Sequence, residues 1–137
     1  MDIQQVRKLD AYLKKLFGNA RLRVVPRPGK NDGAEVLIGE ERLGDLSLDD
    51  EDEDLSYNFR MEMDIGEGSD LDQVMRLNAY LQRKFDNQAI RVVPRAKKRD
   101  SLEAYLGGEF IGVVFVDDEK RRRSYILEMP ILDMDLV

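Results

Sequence analysis

Six cations stand at matched places in this 137-residue chain: Arg23, Arg27 and Lys30 return as Arg91, Arg95 and Lys98. Each trio surrounds an Arg-Val-Val-Pro-Arg segment, and Lys97 and Arg99 thicken the second version. Guanidinium groups beside a rigid proline can clamp a phosphate or carboxylate, bidentately where geometry allows. The blander reading is a solvated turn whose charges pair with Asp32 and Glu35, or with Asp100 and Glu103, and it is favoured, because exposed charge runs usually serve solubility alone.

Other residue types offer less. The run Asp49-Asp50-Glu51-Asp52-Glu53-Asp54 presents the hard oxygens that calcium and magnesium prefer. It lacks the alternating ligand spacing and central glycine of an EF-hand loop, so no metal site is expected. Its counterpart puts Lys120-Arg121-Arg122-Arg123 in place of Asp52-Glu53-Asp54-Leu55, so the sign of the loop flips. Tyr12 with Tyr80 and Tyr57 with Tyr125 could move protons, but each lies beside an apolar stripe at core-like spacing, which predicts packing with the hydroxyl at the surface. The chain has no histidine and no cysteine, which removes the commonest general base, the thiolate nucleophile and the zinc-thiolate site. No glycine-rich phosphate loop and no nucleophile elbow is present.

The elements that must position these groups come in duplicate. Residues 2–65 align without a gap on residues 70–133, with about 25 of the 64 positions identical. Asp2-x-x-Gln5 and Asp70-x-x-Gln73 are capping-box patterns, each opening an amphipathic helix. Ile3, Val6, Leu9, Leu13, Leu16 and Phe17 form the first stripe, and Leu71, Val74, Leu77, Leu81 and Phe85 the second. Gly18 closes the first helix and Asp86-Asn87 must end the second. Four strands follow: Arg21–Val25, which stops at a proline; Ala34–Ile38, joined through Gly39-Glu40-Glu41 to Arg42–Leu48; and an alternating strand from Leu55 to Ile65. Gly44 and Gly112 predict a bulge or a close backbone approach in the third strand. Phe110-Ile111-Gly112-Val113-Val114-Phe115-Val116 is nearly continuous in apolar residues and is expected to be covered on both faces, unlike the alternating Arg42–Leu48.

The expected fold is therefore α+β, a tandem duplication of an α-β-β-β-β unit with the helix packed on an antiparallel meander and the copies in a pseudo-twofold arrangement. The copies span 1–65 and 70–137 with a linker at 66–69. One copy alone is at the margin of what a single core can stabilise, so the two are expected to share a core. Each copy resembles a family of short, uncharacterised alphaproteobacterial proteins, one copy long. The resemblance runs through Arg-Val-Val-Pro-Arg, Glu109-Phe110-Ile111-Gly112-Val113 and the ending Met129-Pro130-Ile131-Leu132-Asp133-Met134-Asp135-Leu136. It implies the fold unit and no chemistry.

Charge sharpens the functional expectation. Residues 1–68 hold 10 Lys+Arg against 16 Asp+Glu, whereas residues 69–137 hold 12 of each, so the net charge of −6 belongs to the first copy. Opposite loops on fused subunits favour one mutual arrangement over swapped ones. These features point to a non-catalytic protein-interaction or scaffold module built as a fused pseudo-dimer, with the partner unspecified, homo-oligomerisation open and no cofactor. The alternative is a binder of a small anion or nucleic-acid backbone through the six cations. Nucleic acid is disfavoured by the acidic balance and by the lack of a stacking motif. The start Met1-Asp2-Ile3-Gln4-Gln5 has no leader character and no stretch approaches the length of a membrane span, so a cytoplasmic protein is expected.

Overall fold

Asp2 begins the first helix as expected: its carboxylate accepts from the Gln5 N–H and the Gln5 side-chain oxygen accepts from the Asp2 N–H, both at 2.8 Å. In the computed structural model, which describes residues 1–27, 29, 33–50, 54–65, 70–117 and 124–136, this helix is α1, Ile3–Phe17. It buries Val6, Leu9, Leu13 and Phe17. Ile3 departs from the predicted stripe and is 63% exposed, because it lies in the first turn, ahead of the residues that meet the sheet. Gly18 ends the helix at φ 60, its N–H reaching the carbonyls of Lys14 and Lys15. The second helix, α2 (Asp70–Lys84), ends where Asp86 takes φ 50 without being glycine. Both stops lead into the same turn, in which Asn19 accepts from the Arg21 N–H and Asn87 from the Ala89 N–H. The side chains of Asp70 and Leu71 lie outside the described residues.

The strands are β1 (Leu22–Pro26), β2 (Gly33–Ile38), β3 (Glu41–Asp49), β4 (Ser56–Met63), β5 (Ile90–Arg95), β6 (Lys98–Leu106), β7 (Glu109–Asp117) and β8 (Ser124–Leu132), followed by a single 3₁₀ turn, Asp133–Asp135. The strand order is β1-β2-β3-β4-β8-β7-β6-β5, which maps onto itself when each strand is exchanged for its counterpart in the other copy. This is the α+β fold and pseudo-twofold duplication expected from the repeat. Pro26 and Pro94 sit on β1 and β5, the strands at the ends of that order, where a missing N–H breaks no ladder.

By compactness the chain divides into a unit of Met1–Arg60 with Pro130–Val137 and a unit of Met61–Met129. Each unit takes the end of one strand from the other copy: β8 finishes in the first unit and β4 in the second. In the first unit α1 packs on β1, and Leu22, Val24, Ala34, Val36, Leu46, Tyr57 and Phe59 are buried. In the second, α2 packs on β5, and Ile90, Val92, Leu102, Ala104, Val114, Tyr125 and Leu127 are buried. Each fully buried aliphatic or aromatic side chain contributes roughly 1.5–3 kcal/mol, which makes this inward face the main source of stability.

The matched glycines explain the shape of the third strand. In β3 the register slips between Val36↔Gly44 and Leu37↔Arg42, leaving Leu43 as the extra residue, and β7 repeats the slip at Ile111. A Cβ on Gly44 would collide with the Arg60 carbonyl, and one on Gly112 with the Glu128 carbonyl. Both expected features, bulge and close approach, therefore occur together.

Candidate interaction surface

The side chains that α1 and α2 do not cover point to the other face of each strand, and there the two copies diverge. In the first unit that face carries an ion network. Arg42 Nη2 donates to Asp45 Oδ1 at 2.5 Å and Arg42 Nε lies 3.6 Å from Glu35 Oε1. Arg27 reaches the same two carboxylates, 3.9 Å from Glu35 and 3.8 Å from Asp45. The hydrogen bond that Arg42 donates to Asp45 holds its guanidinium above the ordinary value. All four side chains stay substantially in water, so the network adds little stability.

The same four positions in the second unit are Arg95, Glu103, Phe110 and Val113. Tyr105, the counterpart of Leu37, packs edge-on against Phe110 with ring centroids 5.8 Å apart and planes at 75°. Its hydroxyl donates to Glu103 at 3.0 Å, and that hydrogen bond raises the phenol above its ordinary value. Val93, Phe110 and Phe115 remain 44%, 50% and 42% exposed. The expectation that β7 is covered on both faces is thus corrected: Val114 is buried, while Phe110 and Phe115 face outward and stay about half-exposed. An apolar run signals two-sided burial only where both sides meet a core, and here one side of the strand does.

A groove of about 560 Å³ opens at one end of this face, between Ala89, Arg91, Val93, Tyr105 and the Gly107-Gly108 turn. At the matched turn of the first copy, side chains close over the backbone. Its Arg21 guanidinium lies over Gly39, 2.9 Å from where a Cβ would sit, and Arg23 Nη2 donates to the Gly39 carbonyl at 2.8 Å. In the second copy Arg21 has become Ala89, and nothing lies within 4 Å of the Cβ position on Gly107 or Gly108.

Within each copy the described cations take different places. Arg23 and Arg91 are exposed on the outer strands. Arg27 belongs to the ion network, as the blander reading anticipated for its pairing with Glu35. Lys30 and Asp32 lie outside the described residues. Arg95 and Lys98 are register partners across the turn from β5 to β6, and Arg95 Nη1 lies 3.2 Å from Ser101 Oγ. Arg91, four residues along an extended strand, is roughly 13 Å away. The middle of the acidic run, Glu51-Asp52-Glu53, and the basic run Lys120–Arg123 also lie outside the described residues. Among the described residues no group of three or more carboxylates is placed to hold a metal ion. Among them, too, no helix is long and apolar enough to cross a membrane.

Two polar contacts escaped the sequence reading. Asp10 accepts from the Val24 N–H at 2.9 Å, and its counterpart Asn78 accepts from the Val92 N–H at 2.6 Å while donating to the Val92 and Val74 carbonyls. Asp10 is paired with Lys14, whereas at those positions the second copy has Asn78 and Gln82. That joint change from acid and base to two amides was the available signal. The second contact is Tyr57, which donates to Asp133 at 2.8 Å while the Asp133 N–H donates to the Leu55 carbonyl. Burial, then the Asp133 hydrogen bond, push the Tyr57 phenol well above its ordinary value. Its hydroxyl is therefore not the surface group that was expected. No sequence spacing pointed to this pair.

A duplicated α-β-β-β-β unit with one charged and one apolar outward face defines the class of the molecule. The family described as "Protein of unknown function (DUF3126)" matches residues 5–65 and again residues 73–135, and the chain belongs to that family. No curated protein and no solved structure matches it.

Proposed function

We propose that the chain is a non-catalytic protein-interaction module that binds its partner through the outward face of β5, β6 and β7. One observation carries this reading: Val93, Tyr105, Phe110, Val113 and Phe115 cluster on a face whose counterpart in the first copy is held by an ion network. Large apolar side chains grouped on a sheet face are a feature of interaction sites. Aromatic anchors such as Phe110 and Tyr105 are the types that dominate binding energy. The first copy supplies the control substitutions, since it places Arg42 and Ser47 where the second has Phe110 and Phe115. A chain carrying Phe110→Arg and Phe115→Ser should keep its melting temperature within a few degrees and lose the partner that the wild-type chain retains from a cell lysate. Equal retention of that partner by both chains would overturn the reading.

Anion binding has one observation in its favour. No ion pair among the described residues involves Arg91, Arg95 or Lys98, and Arg95 and Lys98 are register partners. Titration with phosphate, sulfate or a short oligonucleotide should then move the amide signals of Arg95–Lys98, with a steep loss in salt. Signals that stay fixed at millimolar anion end this second reading.

A further inference from the structure

The strands at the two ends of the order, β1 and β5, each have one side without a neighbouring strand. In an antiparallel ladder alternate residues turn both backbone groups to the same side. Arg21 and Arg27 turn theirs toward β2, because the Arg21 carbonyl accepts from the Gly39 N–H and the Arg27 N–H donates to the Gly33 carbonyl. Leu22, Val24 and Pro26 therefore face the open side. So do Ile90, Val92 and Pro94 in the second copy, where the Ala89 carbonyl accepts from the Gly107 N–H. Such a row of backbone groups is ordinarily a template for an added strand. Here it is occupied. The Leu22 N–H donates to the Asn19 carbonyl at 3.3 Å, and the Val24 N–H donates to Asp10 of α1 at 2.9 Å. In the second copy Asn78 of α2 takes both groups of Val92, accepting from its N–H at 2.6 Å and donating to its carbonyl at 3.2 Å, while Gln82 donates to the Ile90 carbonyl at 2.9 Å. Pro26 and Pro94 have no N–H to offer.

From these contacts we infer that α1 and α2 serve as edge guards, whose Asp10, Asn78 and Gln82 side chains close β1 and β5 to strand addition by another chain. An added strand would lie about 4.8 Å from β5, in the space where Asn78 bonds to Val92, and could pair only after displacing that side chain. The guarded N–H is the same in both copies, although the guard is a carboxylate in one and an amide in the other. A sheet with two open edges can join copy to copy without limit, so closing both ends keeps the chain from growing into ribbons. The edges are closed whatever the outward face binds. A partner of that face is then met by side chains and not by an extra strand.

Hydrogen exchange and association of the full chain test the guard. In the wild-type chain the Val24 and Val92 amides should exchange slowly although they lie on edge strands, and Asn78→Ala should speed Val92 by roughly tenfold relative to Val24, the size of one lost hydrogen bond. The double variant Asn78→Ala with Gln82→Ala should form thioflavin-positive assemblies at concentrations where the wild-type chain stays dispersed. Val114→Ala, which loosens the core without opening an edge, should not. Should the double variant fail to fold, Asp10→Ala tests β1 in its place. Val24 and Val92 amides that exchange as freely as unstructured ones in the wild-type chain overturn the inference. So does a folded double variant no readier to assemble than the wild-type chain, or a Val114→Ala chain that assembles equally.

Discussion

The inward and outward faces of the two copies have diverged under different rules. Inward, Leu9, Leu13, Phe17, Val24 and Tyr57 recur unchanged as Leu77, Leu81, Phe85, Val92 and Tyr125. Where inward residues change, they compensate: Ala34 and Val36 become Leu102 and Ala104, so a large and a small residue trade places along the strand. Close packing imposes this, because a core registers even one added or lost methylene. Outward, Arg42, Asp45 and Ser47 become Phe110, Val113 and Phe115 with the same ladder and the same bulge beneath them. Backbone and core hold the scaffold constant, so the outward face can change its chemistry without altering the fold.

The harshest test of a shared scaffold is at the matched glycines. Gly44→Val and Gly112→Val should each destabilise the chain by about 3 kcal/mol or more, since each drives a side chain into a neighbouring carbonyl. Thermal melts should show losses of similar size. A tolerated substitution in one copy alone would show that the two backbones are less alike than their registers suggest.

A smaller effect is expected where the copies solve one problem with different chemistry. Asn78 both accepts from the Val92 N–H and donates to two carbonyls, which a carboxylate cannot do. Asn78→Asp should therefore cost about 2 kcal/mol. Gln82→Lys, which recreates the Asp10–Lys14 pair, should recover part of that loss, although Gln82 then gives up its own hydrogen bond to the Ile90 carbonyl. A double-mutant cycle measured by urea unfolding should show favourable coupling. Strict additivity would mean that the two amides and the acid–base pair are unrelated.

Tyr57→Phe probes a contact that has no copy in the second unit, because Ile65 is the counterpart of Asp133. Loss of that hydrogen bond should cost about 1 kcal/mol at neutral pH. The folded state raises the phenol above its ordinary value of 10.0, so the stability due to neutral Tyr57 is complete below pH 10.0 and lost as pH climbs through the raised value. Stability measured across the alkaline range should fall less steeply in Tyr57→Phe than in the wild-type chain. Identical slopes would remove Tyr57 as a source of alkaline sensitivity.

Much of the scaffold is legible in the sequence because it is written in local patterns. The Asp2-x-x-Gln5 cap, the 3.6-residue stripes and the glycine turns each act within a few residues, and the repeat supplies an independent second copy of most of them. The outward face was less legible. Phe110–Val116 carries apolar residues on both sides of the strand, and apolarity alone cannot distinguish a side covered by this chain from one left for a partner. Tyr57 with Asp133 is separated by 76 residues and depends on where β8 ends, which no local pattern encodes.

The smallest effect separates the two faces by the physics of their contacts. Arg42 joins Glu35 and Asp45 through exposed ion pairs, each of which gains little in water and loses side-chain freedom. Arg42→Ala should therefore cost less than about 1 kcal/mol, and at 1 M salt, where the screening length is about 3 Å, most of that difference should vanish. Phe110→Ala, at the matched position, removes apolar contact and should respond little to screening. Guanidinium chloride is unsuitable because it is itself a salt, so urea unfolding at low and high sodium chloride is the measurement to make. A salt-independent loss at Arg42 would mean that its aliphatic stem packs on the sheet and that the first face, too, is partly apolar.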